Sequence, residues 1–181
     1  MEFIKTEIEG VWVIEPKRYG DARGYFSETF RQDLFDKHVG HVDFIQDNES
    51  FSTRGVLRGL HFQKGEWSQA KLVRVSQGKV LDVCVDLRSA SPTFGKHVMV
   101  ELSADNGRQL FIPRGFAHGF VVLSDVAQFQ YKVDNVYAPQ SEATLMWNDP
   151  ELGIEWPLPA SELLLSAKDQ RGVGLKDVYR F

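Results

Sequence analysis

Apolar and polar residues alternate along most of this chain with a period of two. Across Lys71–Gln77, one face carries Lys71, Val73 and Val75 and the other carries Leu72 and Arg74. After Gly78 the alternation resumes over residues 79–87, where Leu81, Val83, Val85 and Leu87 oppose Val80, Asp82, Cys84 and Asp86. Segments 11–14, 97–102, 109–112, 119–123 and 127–133 continue the series, with Gly, Pro, Asp and Asn between them. Successive side chains of a strand point to opposite faces, so this pattern predicts many short strands with one buried face. Such a series of strands and turns reads as an all-β antiparallel sandwich or barrel.

Two segments break the pattern towards a helical period. In 29–38, Thr29 and Gln32 have capping-box spacing, Phe30 and Leu34 lie one turn apart, and Gly40 can end the helix. Residues 161–165 form a shorter helical candidate. Both lie outside the central strand series and are expected to decorate the sheets. No repeat, low-complexity tract or linker divides the chain, so 1–181 is expected to form one domain with a substantial core.

Composition narrows the class. The net charge of -4 argues against binding a nucleic-acid backbone, although it allows a local basic pocket. Cys84 is the single cysteine, which excludes an intrachain disulfide and fits a reducing compartment. The N-terminal residues show no basic start followed by a long apolar run, so a cytoplasmic protein without membrane contact is expected.

Candidate chemistry concentrates in two neighbouring strand-like runs. His61 and Lys71 stand ten residues apart, and Arg58 precedes His61 by three. Histidine accepts a proton near neutral pH without special tuning, and fixed positive charge beside it suits proton removal next to a carbonyl. Lys71 and Arg58 can then steady the developing oxyanion. Strict alternation places Arg58 and His61 on opposite faces; a bulge at Gly59 would bring them together. Each residue also has a plainer reading: a hydrogen-bonded strand histidine, and a strand-end lysine whose charge reaches water.

Other positions remain open on the residues alone. Tyr131 shares the expected inner face with Ala127, Phe129 and Val133, either as a tethered core tyrosine or as a proton donor. His118, in a loop entering a strand, is an anion contact or a structural residue. Asp82 and Asp86 orient cations in a pocket or face solvent. Gln46, Asp47 and Asn48 are a polar strand end or a ligand-reading edge. The segment from Arg23 through Phe26 to Glu28 either binds a nucleotide or forms a strand before the first helix. Metals are disfavoured, since the five histidines make no His-x-His pair with a following acid. No Rossmann or Walker glycine loop is present.

Several runs together resemble the dTDP-4-dehydrorhamnose 3,5-epimerases, metal-independent members of the cupin superfamily. They include Asp21-Ala22-Arg23-Gly24-Tyr25-Phe26, Gln46-Asp47-Asn48, Arg58-Gly59-Leu60-His61-Phe62-Gln63 and Lys71-Leu72-Val73-Arg74. Pro113-Arg114-Gly115-Phe116-Ala117-His118-Gly119-Phe120, Tyr131-Lys132, Trp147-Asn148-Asp149-Pro150 and Leu165-Ser166-Ala167-Lys168-Asp169 extend them over nearly the whole chain. Phe62 and Phe111 depart from the family pattern, where tyrosine and tryptophan are expected.

The resemblance implies a jelly-roll barrel, a homodimer, and an N-terminal segment that reaches into the partner's site. It implies a dTDP-4-dehydro-6-deoxy-D-glucose substrate, inverted at C3 and C5, with no cofactor. By the same resemblance His61 is the base, Asp169 orients it, Tyr131 is the proton donor and Lys71 steadies the C4 oxyanion. Arg23, Phe26, Glu28, Gln46, Asp47, Asn48, Arg58, His118, Glu142 and Lys168 are implied substrate contacts, and Asp82 supports them from behind. Arg23, Arg58 and His118 are the expected positive partners of the diphosphate. The competing readings are a mono-epimerase or 3,4-ketoisomerase of the same superfamily, a sugar-binding cupin without turnover, and a metal-dependent cupin.

Overall fold

The computed structural model describes residues 1–181 and shows an all-β, cupin-type jelly roll. One sheet has six strands in the order β1 (Glu2–Lys5), β2 (Trp12–Glu15), β10 (Gln109–Ile112), β7 (Lys71–Gln77), β12 (Val126–Val133) and β5 (Gln46–Thr53). The facing sheet has five, in the order β13 (Glu142–Thr144), β6 (Leu57–Gln63), β11 (Phe116–Val122), β8 (Lys79–Asp86) and β9 (His97–Ser103). A separate hairpin pairs β3 (Arg18–Asp21) with β4 (Gly24–Ser27). Every pairing between these strands is antiparallel. No helix is long and apolar enough to cross a membrane.

The alternation read from the sequence sorts side chains between layers. Val73, Val75, Leu110, Ile112 and Phe129 of the six-stranded sheet meet Val80, Cys84, Val98 and Phe120 of the other in one core. Outward-facing Leu60, Val83, Val85 and Ala117 are covered by the C-terminal segment, which contributes Leu145, Leu152 and Val178. Ile14, Leu72 and Phe111 on the opposite outer face are covered by Phe35 of α1 (Gln32–His38), with Phe30 and Phe44 packed around it. The central strands of both sheets are therefore buried on two sides, which excludes water from their backbone ladders, while the outer faces of β5 and β9 stay exposed.

Helix α1 starts later than its sequence suggests. Its N-cap is Arg31 without a side-chain cap bond, and Gln32 Nε2 donates to Asp36 Oδ1 at 2.6 Å instead of closing a capping box. Thr29 is held through its carbonyl, which accepts from the buried Gln109 amide at 2.6 Å. The helical candidate at 161–165 is a single 3-10 turn, Ala160–Glu162. Beyond it Leu164 extends and bridges Val56 in parallel, its backbone exchanging bonds with Gly55 and Leu57. Tertiary strand pairing overrides local helix propensity here.

A bulge in β6 does occur. His61 pairs with His118 and Arg58 pairs with Phe120, so three steps on β6 oppose two on β11. The extra residue turns both Arg58 and His61 towards one cavity. Gly59 sits there with φ +146°, and a Cβ on it would lie 2.6 Å from Gly119 Cα. The two glycines let the backbones approach closely, which any side chain would prevent. Gly59→Ala should destabilise the fold by about 2–4 kcal/mol. A urea midpoint unchanged from wild type would show that the close approach is dispensable.

Candidate active site

The barrel core turns polar at one end. On each inward face the residue two positions from a core hydrophobe is ionisable: Lys71 before Val73, Tyr131 after Phe129, and His118 between Phe116 and Phe120. These groups line a cavity of about 530 Å³ together with His61, Arg58 and Asp169. His61 and His118 come from the five-stranded sheet, Lys71 and Tyr131 from the six-stranded sheet. Two opposed walls therefore present different chemistry to anything bound between them.

Asp169 is buried beneath His61, and its Oδ1 lies 2.7 Å from His61 Nε2. The oxygen is off the axis of the ring N–H, so Nε2 is buried without a well-directed hydrogen bond. Such contacts commonly tighten only when a ligand binds. The carboxylate also accepts from Gly59 N at 3.0 Å, Ser166 N at 3.0 Å and Ser166 Oγ at 2.6 Å. Burial alone would raise its proton affinity. The His61, Ser166 and Gly59 contacts outweigh burial and hold the carboxyl well below the usual carboxylate range.

His118 Nε2 stands 3.0 Å from both oxygens of the fully buried Asp82. Burial pushes its proton affinity below that of a free imidazole, despite Asp82, and Lys71 and His61 add to the effect. The expected cationic anchor is thus a neutral ring oriented by a carboxylate. Asp86, which shares its face with Asp82, is also fully buried. It is tied to Arg88, Ser91 and Thr93, away from the cavity. Neither aspartate faces solvent.

Lys71 is half-buried, and its ammonium lies 5.9 Å from the Tyr131 ring centre. Burial lowers it to about 8, against the opposing pull of Asp82 and Glu142; nearby Lys168 lowers it further. Burial raises the Tyr131 phenol above its ordinary value, opposed by Arg58 and reinforced by Glu142. Tyr131 therefore keeps its proton at neutral pH. Glu142 binds the Lys168 ammonium and accepts from the Tyr137 hydroxyl at 3.2 Å. Gln46 Nε2 donates to Asn48 Oδ1 at 2.8 Å at the cavity edge.

Four sequence candidates lie elsewhere. Asp47 alternates to the outer face of β5 and pairs with Lys132 at 2.9 Å. Arg23 and Phe26 belong to the exposed β3–β4 hairpin, where Arg23 pairs with Asp21 at 2.6 Å and Phe26 is 71% exposed. Glu28 follows the hairpin and faces Arg31. None of the four side chains reaches the cavity within one chain. Conversely, Gln63, Tyr137 and Ser166 line it although the sequence pattern does not mark them as site residues. Ser166 stands three residues before Asp169 in a legible turn-capping spacing; Tyr137 lies in a loop that alternation does not describe.

Comparison with known proteins fits this geometry. Residues 5–177 match the family model for dTDP-4-dehydrorhamnose 3,5-epimerase. The chain is 54% identical to the dTDP-4-dehydrorhamnose 3,5-epimerase of Escherichia coli K12 over 181 residues, covering 99% of this chain and 97% of that protein. It resembles the crystal structure of a dTDP-6-deoxy-D-glucose-3,5-epimerase from Legionella pneumophila in complex with dTDP-4-keto-L-rhamnose. That match has a TM-score of 0.94 at 47% identity, covering 98% of this chain and 94% of the other. A 3'-monoepimerase from Streptomyces bikiniensis in complex with dTDP-quinovose also matches, with a TM-score of 0.90 at 37% identity over 96% and 87% of the two chains.

The depressed Lys71 makes a chemical prediction. Below about 8 it carries the charge that an oxyanion needs; above that it is a free amine. Competitive acetylation across pH should give Lys71 a midpoint near 8, well before the exposed lysines react. A midpoint among the ordinary lysines would show that the cavity does not desolvate it.

Proposed function

The chain belongs to the dTDP-4-dehydrorhamnose 3,5-epimerase family, and from that premise we propose how its cavity inverts C3 and C5 of a dTDP-linked 4-keto-6-deoxyhexose. The C4 ketone acidifies the protons on both neighbouring carbons, so the substrate carries its own electron sink. His61 takes one of these protons. With Nε2 against Asp169, the accepting atom is Nδ1. Asp169 orients the ring and stabilises the imidazolium that forms, as an anion beside a cation does in a dry site. The electron pair moves onto the C4 oxygen, where the Lys71 ammonium opposes the new charge.

Tyr131 then returns a proton to the carbon from the other face. The observation that carries this reading is the placement of His61 and Tyr131 on opposite sheets across one cavity. After inversion the imidazolium and phenolate reset through solvent, so each inverted carbon acquires a solvent hydrogen. Repeating the step at the second carbon yields dTDP-4-dehydro-L-rhamnose, in dTDP-L-rhamnose biosynthesis. Arg58 and Lys168 supply positive charge for the diphosphate, while His118, whose Nε2–H donates to Asp82, offers Nδ1 to the substrate as an acceptor. Gln46, Asn48 and Glu142 complete the binding surface.

The protein acts as a homodimer of 1–181 units in the cytoplasm. Arg23, Phe26 and Glu28 serve the partner's cavity, which accounts for an exposed hairpin that carries Tyr19, Tyr25 and Phe26. Mixing two inactive variants tests this. His61→Ala plus Arg23→Ala should restore activity through mixed dimers, because one of the two composite sites regains both residues. No recovery after subunit exchange would place Arg23 outside the partner's site.

The catalytic test is proton NMR with dTDP-4-dehydro-6-deoxyglucose in deuterated water. Deuterium should enter at both C3 and C5, with an L-rhamno product trapped by a reductase. Exchange at one carbon would instead indicate a mono-epimerase, a reading kept alive by the similarity to the Streptomyces enzyme. Binding without exchange would indicate a sugar-binding cupin. His61→Ala should slow exchange at both carbons by about 10²-fold or more. Tyr131→Phe should retain exchange while losing inversion. An unchanged product yield would remove Tyr131 from the mechanism.

A further inference from the structure

We propose that Ser166 is a positioning residue that sets the ring state of His61 by fixing the Asp169 carboxylate; this rests on the proposed role of His61 as base. Ser166 and Asp169 form a reciprocal cap around one tight turn. Ser166 Oγ accepts from Asp169 N at 3.3 Å, while Asp169 Oδ2 accepts from Ser166 N at 3.0 Å. Ser166 Oγ also donates to Oδ2 at 2.6 Å, and Gln170 N closes the turn on Ser166 O at 3.2 Å. This is capping-box geometry, with aspartate in the place usually held by glutamate.

The two oxygens of the carboxylate are thereby divided. Oδ2 belongs to the turn through both Ser166 donors. Oδ1 belongs to the five-stranded sheet through Gly59 N and faces His61 Nε2. A carboxylate on one rotatable bond can present either oxygen or swing away; anchors on both sides leave one orientation. The imidazole contact is short but off-axis, so the ring does not by itself hold the carboxylate in line. The orienting force comes from Ser166 and Gly59. A fixed acceptor at Nε2 favours the tautomer protonated there and leaves Nδ1 to receive a proton.

The test uses ring-labelled ¹⁵N-histidine in the full chain, with His61 assigned by loss of its signals in His61→Ala. At alkaline pH, where imidazoles are neutral, wild type should show His61 predominantly as the Nε2–H tautomer. Ser166→Ala should move it towards a mixture, while Ser166→Thr, which keeps the hydroxyl, should restore it. In the exchange assay Ser166→Ala should lower kcat about 10-fold with KM within about 2-fold, and Thr should recover most of the loss. A cap with only a structural role would lower the Tm of Ser166→Ala and leave the ring spectrum of the folded protein unchanged, which would overturn the inference. Failure of Ser166→Thr to restore the spectrum would do the same. The spectrum needs no turnover, so a wild type that binds substrate without exchanging it would sink the epimerase reading and still decide the role of Ser166.

Discussion

The buried carboxylate of Asp169 joins two distant stretches of the chain at the site. It ties the backbone of the β6 bulge at Gly59 to the C-terminal turn at Ser166 and sets an anion against the only histidine nitrogen buried without a directed partner. An isolated buried carboxylate would be costly, and it would respond by taking up a proton. Three donors from Gly59 and Ser166, with the imidazole beside them, keep it ionised. The C-terminal segment is thus part of the site as well as a cover for the outer face of the five-stranded sheet.

The rest of the cavity is an electrostatic balance within a low-dielectric frame. Lys71 is pushed towards neutrality by burial and by Lys168, and held charged by Asp82 and Glu142. Near neutral pH it keeps its proton while sitting within reach of losing it, a state suited to meeting transient negative charge. Tyr131 is biased the other way, towards holding its proton. His118, kept from charging by its surroundings, adds a hydrogen-bonding ring without a further fixed cation. One apolar barrel supplies all three effects because the same strands that bury Val73, Phe129 and Phe120 carry these groups at their open end.

Much of this was legible in the residues. Period-two alternation predicts the strands and the inner faces of β7, β8 and β12, because a side chain's face follows from its position in the pleat. Gly59 marks the position where alternation fails, and the bulge is there. The helix start predicted at Thr29 and the helix predicted at 161–165 give way for a common reason: the backbone at both places is claimed by distant partners, Gln109 in one case and Gly55 with Leu57 in the other. Asp47 adjoins Gln46 and Asn48 in the chain, but alternation places it on the opposite face of β5.

By itself the sequence determined the strand faces and the all-β class and, through its resemblance, singled out the candidate site residues. These are local or inherited properties, readable from spacing and residue type. Only the tertiary structure decided which of them meet. The convergence of Arg58 with His61 depends on a register shift between β6 and β11, and the Asp169 contact bridges more than one hundred residues of chain. The state of Lys71 and His118 depends on how much water the two sheets exclude. The hairpin carrying Arg23 and Phe26 stands apart from the cavity, held against its own barrel through Arg18, which donates to the carbonyls of Ala104 and Asp105, while its aromatic side chains stay exposed. Long-range register and desolvation arise from the whole packed assembly, and no short window of residues contains them.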